Sequence, residues 1–99
     1  MLETRSTVPV HGSKASIGGT ALQLTTSEAP LRNGLLVRAA TTNSGTVYVG
    51  GSTVTADSAA ATDGFPLLAG ESVKVEADKA SLVYAIGSAT GQKVFFIGT

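Results

Sequence analysis

The chain has 99 residues, with seven basic and seven acidic side chains, one histidine, no cysteine and no tryptophan. A chain of this length builds one core, which buries roughly 60 to 65% of the surface that its unfolded form exposes. Charged residues are balanced and make up only 14% of the chain, which argues against nucleic acid or an anionic membrane as partner, and the lack of thiols removes disulfides and thiolate metal sites.

Alanine, glycine, threonine, serine and valine dominate, a mixture that favours short strands and tight turns over amphipathic helices. The polar start, with Glu3 and Arg5, lacks the apolar stretch of a secretory signal, and no apolar run approaches the length of a membrane-spanning helix. The expectation is a soluble protein made in the cytoplasm.

Residues 1–16 are weakly patterned apart from Val8, Pro9 and Val10, and Pro9 lacks a ladder donor, which suits an extended arm or an edge strand. Removing residues 1–12 is expected to leave the domain folded. Residues 20–27 alternate, with Leu22 and Leu24 on one face, and predict a half-buried strand. Pro30 and the Asn33-Gly34 pair then mark a tight turn that could close a two-residue hairpin. The strand that follows places Leu35, Val37 and Ala39 on one face and Leu36, Arg38 and Ala40 on the other. After a turn at residues 43–45, Val47 and Val49 alternate with Tyr48, and Gly50-Gly51 ends or bulges the strand. Residues 53–55 extend it briefly, and residues 56–63 form a small-residue loop in which Asp57 could cap one helical turn. Residues 64–68 read as an apolar plug entering the core, and residues 71–77 as an alternating strand with Val73 and Val75 inward.

Residues 81–98 read as a final hairpin in which both faces of both strands are apolar: Leu82, Tyr84 and Ile86 oppose Val83 and Ala85, and Phe95 opposes Phe96. One small domain covers one such face, so the other calls for a further layer or another molecule. Parity with Val94 places Phe96 in the core and turns Phe95 toward the arm or a partner. The predicted architecture is all-β, a small antiparallel β-sandwich or barrel of about six to eight strands. It carries an extended N-terminal arm or edge strand at residues 1–16, with the sandwich over residues 17–99.

Constellations for chemistry are sparse. His11 is the sole histidine and lies in the weakly anchored start, so neither a nucleophilic relay nor a zinc site can be assembled around it. Asp57, Asp63 and Glu71 could converge on calcium, but no regular calcium-loop spacing is present, and loop carboxylates are the simpler reading. Glu76 and Asp78 share a face but lack the apolar setting that raises a carboxyl pKa. The glycine pairs open no phosphate-binding helix. No enzyme activity, cofactor or metal is therefore expected. Arg38, on a largely apolar strand, either reaches solvent at the margin or pairs with a carboxylate, across a subunit contact if need be.

Three segments carry a resemblance: residues 43–55 with Gly-Thr-Val-Tyr-Val-Gly, residues 64–72 with Gly-Phe-Pro-Leu before Gly-Glu-Ser, and residues 83–94 with Tyr-Ala-Ile-Gly-Ser before Gly-Gln-Lys-Val. Over the C-terminal 55 to 60 residues the chain resembles small all-β structural proteins of tailed-bacteriophage virions. The resemblance implies a capsid decoration, or cement, protein, commonly a trimer, bound outside an icosahedral head and bridging its capsomers. The implied partners are the protein itself, as a homotrimer, and the major capsid protein, and the implied location is the virion surface. The expected contact residues are Thr7, Val8, Pro9, Val10, His11, Arg38 and Phe95. Residues 4–11 could add a strand to a neighbour's sheet edge. The alternative is another virion part, a head-fibre, tail or baseplate module binding host-surface carbohydrate or receptor, for which Tyr48 and Tyr84 would have to supply the platform.

Overall fold

The β-forming segments condense into eight strands in a computed structural model that describes residues 9–56 and 60–99. They are β1 (Val10–Ile17), β2 (Leu22–Gln23), β3 (Leu35–Ala39), β4 (Val47–Gly50), β5 (Phe65–Leu67), β6 (Ser72–Val75), β7 (Tyr84–Gly87) and β8 (Gln92–Gly98), with a 3-10 turn at Ala80–Leu82. All strand pairs are antiparallel. Sheet I has the order β1-β8-β3-β6 and sheet II the order β2-β7-β4-β5. Strand 1 thus pairs with 8, 2 with 7, 3 with 6 and 4 with 5, which is one long nested hairpin rolled into two sheets, the jelly-roll arrangement of a β-sandwich.

Alternation explains which face of each strand meets the core. On β3, Leu35, Val37 and Ala39 are buried while Leu36 and Arg38 are exposed, and on β8, Val94 and Phe96 are buried while Phe95 and Ile97 are exposed. Facing them from sheet II are Val47, Val49, Leu67 and Ala85, with Ile17, Leu24, Leu31 and Val83 filling the ends. Val73 and Val75 pack inward from β6, as their spacing predicts, but are only partly buried because β6 is a sheet edge.

Several elements differ from the sequence reading. Residues 81–98 are not a hairpin: β7 lies in sheet II between β2 and β4, and β8 in sheet I between β1 and β3. The two-sided apolar character is resolved differently in each strand. The outer-side Ile86 of β7 is buried beside half-buried Tyr48 of the same chain, whereas the outer-side Phe95 and Ile97 of β8 stay exposed. Asn33-Gly34 does turn the chain, with Gly34 at φ +89°, where an added Cβ would meet the Val75 carbonyl oxygen at 2.6 Å. That turn nevertheless leads from sheet II into sheet I rather than closing a hairpin. The strand expected over residues 20–27 shrinks to β2, two residues long. Of the expected plug, only Leu67 is buried; Phe65 and Leu68 are exposed, since β5 is an edge strand. The capped turn expected from Asp57 lies outside the described residues.

At the N-terminus the edge-strand alternative holds for the described residues, while the boundary shifts. β1 runs through the anticipated boundary at residue 16 and pairs with β8 from Val10 opposite Gly98 to Ile17 opposite Gln92. Val10 packs on the core and Ile17 is fully buried. Gly12 lies against the Phe96 ring, close enough that a Cβ there would approach it to 2.9 Å. Deleting residues 1–12 would remove part of a sheet, not a dispensable arm. Val10 and His11 pair with β8 on one flank, and because β1 is a sheet edge its other flank is the one that could meet a neighbour's strand.

Candidate partner-binding face

The pleat of sheet I carries two cross-strand rows of side chains to its outer face. One row runs His11, Ile97, Leu36, Lys74, and the next runs Ser13, Phe95, Arg38, Ser72. Directly paired side chains on one face sit about 5 Å apart at their Cβ atoms, so Leu36, Ile97 and Phe95 form one contiguous apolar cluster. Each remains close to half exposed, at 44%, 48% and 46%. The cluster lines an open, shallow depression of about 480 Å³ bounded by His11, Ser13 and Arg38. Gly12 lets the Phe96 ring form part of its floor. A smaller depression of about 190 Å³ continues past Arg38 and Phe95 to Ala40 and Thr41.

The polar groups at the margins are held in distinct ways. Arg38 Nε donates to the Gly70 carbonyl at 3.2 Å, which anchors the guanidinium at the β3–β6 side while leaving the side chain exposed. Lys93 Nζ lies 4.9 Å from the Phe95 ring centroid, a cation–π contact. Lys74 faces Glu76 at 3.7 Å. Glu71 Oε1 accepts a hydrogen bond from the Leu68 amide at 2.9 Å.

Of the residues expected to make contacts, His11, Arg38 and Phe95 converge on this face. Pro9 is exposed just ahead of β1, Val10 belongs to the inner side, and Thr7 and Val8 lie outside the described residues. Leu36 and Ile97 complete the cluster and were not singled out, although their parity with Arg38 and Phe95 carried the signal. Tyr48 and Tyr84 lie on the opposite side of the molecule, both half-buried on the outer face of sheet II.

Carboxylate arrangements have local explanations. Asp63 accepts a 2.6 Å hydrogen bond from the Thr55 hydroxyl, Glu71 caps its turn, and Asp57 lies outside the described residues. Among the described residues no group of three or more His, Cys, Asp or Glu side chains is placed to hold a metal. Likewise, no helix is long and apolar enough to cross a membrane. The chain matches no protein-family model, no curated protein and no solved structure.

Proposed function

We propose that the protein is a bacteriophage capsid decoration, or cement, protein that binds the major capsid protein on the outside of an icosahedral head, bridges capsomers and self-associates as a homotrimer. The observation that carries the reading is the exposed Leu36–Phe95–Ile97 cluster on a sheet face, taken with the virion-like segments at residues 43–55, 64–72 and 83–94. The jelly roll is compatible but does not choose, because that fold serves viral capsid domains, lectins and cupins alike. The cluster offers on the order of 300 Å² of apolar surface, against roughly 800 Å² per partner in a stable standard-size complex. A single contact of this size is weak, and a lattice repeating it many times compensates through effective concentration.

The test is to mix purified protein with undecorated, expanded heads. Saturable, stoichiometric binding and a higher head-disruption temperature are expected. Failure to bind heads, together with binding to host cell-wall polysaccharide, would assign the protein to the host-recognition alternative. A strict monomer in sedimentation at tens of micromolar would remove the homotrimer from the proposal.

A further inference from the structure

We infer that the outer face of sheet I docks a protein surface with an apolar centre and an acidic rim, and that this face does not pair two-fold with its own copy. The inference deepens the shell-binding reading by stating the chemistry of the shell's docking surface. It starts from the charges around Phe95. Arg38 is its cross-strand neighbour on β3, Lys93 sits over its ring, and neither has an ion pair among the described residues. Lys74 and His11 end the row that contains Leu36 and Ile97. Among the described residues no acid lines the depression, and Glu76 and Glu71 contact Lys74 at 3.7 Å and the Leu68 amide at 2.9 Å respectively. An apolar centre with two cations beside its aromatic ring is therefore complementary to carboxylates set around an apolar patch.

Two-fold pairing of this face with itself fits poorly. It brings the same patch from each subunit together, so Arg38 and Lys93 would meet their own kind across a surface that excludes water. A three-fold ring joins two different patches, and when built from other surfaces it leaves this face to the shell. Nucleic acid fits no better, since phosphate tracking needs a basic stripe and this face is centred on apolar groups.

The experiment compares the wild-type chain, Phe95→Ser and the double variant Arg38→Glu, Lys93→Glu. All three substituted side chains lie on the outer side of sheet I, so thermal melts are expected to match wild type within a few degrees. Two readouts run side by side. The first is binding to undecorated heads at low and high salt. The second is NMR titration of ¹⁵N-labelled protein with a synthetic peptide of leucine and phenylalanine flanked by glutamates, against the same peptide flanked by lysines. Expected results are a loss of head affinity of about tenfold or more in both variants, weaker wild-type binding at high salt, and shifts at Leu36, Phe95 and Ile97 with the glutamate peptide only.

Heads that bind wild type and both variants equally would overturn the inference and leave the shell reading in place. Heads that bind no form, with the glutamate peptide still selecting this face, would overturn the shell reading and support the inference. Equal shifts with both peptides would overturn it, as would an oligomer that Phe95→Ser dissociates. Anionic phospholipid vesicles bound by wild type and lost in Phe95→Ser would likewise overturn it, in favour of a lipid surface.

Discussion

Gln92 is an uncharged polar residue that is 1% exposed, and its side chain is fully used. Its Oε1 accepts from the Gly45 amide at 2.8 Å, and its Nε2 donates to Ser44 Oγ at 3.1 Å and to the Thr90 carbonyl at 2.7 Å. Beside it the Asn43 amide exchanges two 2.9 Å hydrogen bonds with the Lys93 backbone, standing in for an extra strand residue. Together these bonds fasten the β3–β4 crossing to the β7–β8 crossing. Gln92→Leu keeps much of the volume but leaves the Gly45 amide without its acceptor, so it should cost about 1–3 kcal/mol. Urea melts with an unchanged slope and a lower midpoint would show this. None of this was legible in sequence, because the partners lie 47 and 48 residues away and no local pattern marks a glutamine as buried. The inward place of Phe96, by contrast, follows from parity alone, and Arg38 is exposed with its Nε donating to the Gly70 carbonyl.

A second residue-scale effect concerns Glu28. The hydrogen bond from Lys79 at 3.0 Å, with a further one involving Ser81 and the Lys79 charge, holds its carboxyl below the ordinary value of 4.5. A depressed folded-state value means that the contribution to stability is in place above 4.5 and fades as pH falls through the lower folded value. The difference in melting temperature between wild type and Glu28→Gln should therefore be constant from neutral pH down to about 5 and shrink below that. Since the pair is exposed, the difference should also diminish in high salt.

Among elements, the sheet edges carry most of the design. β2 is two residues long, and β5 holds Pro66, which offers no donor. β1 is the longest strand and the one most in need of protection. Lys14 shares the inward parity of Gly12, and the register slips between Lys14 and Ile17, where Ser16 takes a φ of +58°. An inward charge and a bulge both discourage another strand from adding there. Lys14→Val should leave the melt nearly unchanged but raise light scattering on prolonged incubation near the melting temperature. Ile17, fully buried where the bulge rejoins β8, anchors the strand, and Ile17→Ala should cost about 2–5 kcal/mol in a denaturant melt. Deletion of residues 1–17 should yield no soluble folded protein, because it exposes the flank of β8 and uncovers Phe96. The sequence left arm and edge strand open here because serine, glycine and lysine at residues 12–16 break the apolar alternation. Residues 10–17 take the second alternative, an edge strand whose exposed flank tolerates polar residues.

For the whole molecule, the all-β class, the antiparallel sandwich and the approximate strand number were readable from alternation and turn residues. The pairing was not. Periodicity reports which residues share a face but says nothing about which strand lies beside which, and adjacency in sequence made residues 81–98 look like a hairpin. The candidate face was half legible for the same reason. Parity sent Phe95 and Arg38 outward, and only the register of β3 against β8 put them side by side.

That nesting also dictates when the molecule can come into being. Six of the seven successive links pass from one sheet to the other, and only β4 and β5 follow each other within a sheet. β8 lies between β1 and β3, so sheet I has no middle until the last of the eight strands has been synthesised. Strand pairing at such separations is slow, and earlier segments spend the interval with unpaired edges. Assembly should therefore be a single late event, in which a chain lacking β8 collapses without ordered packing and addition of that strand organises both layers at once.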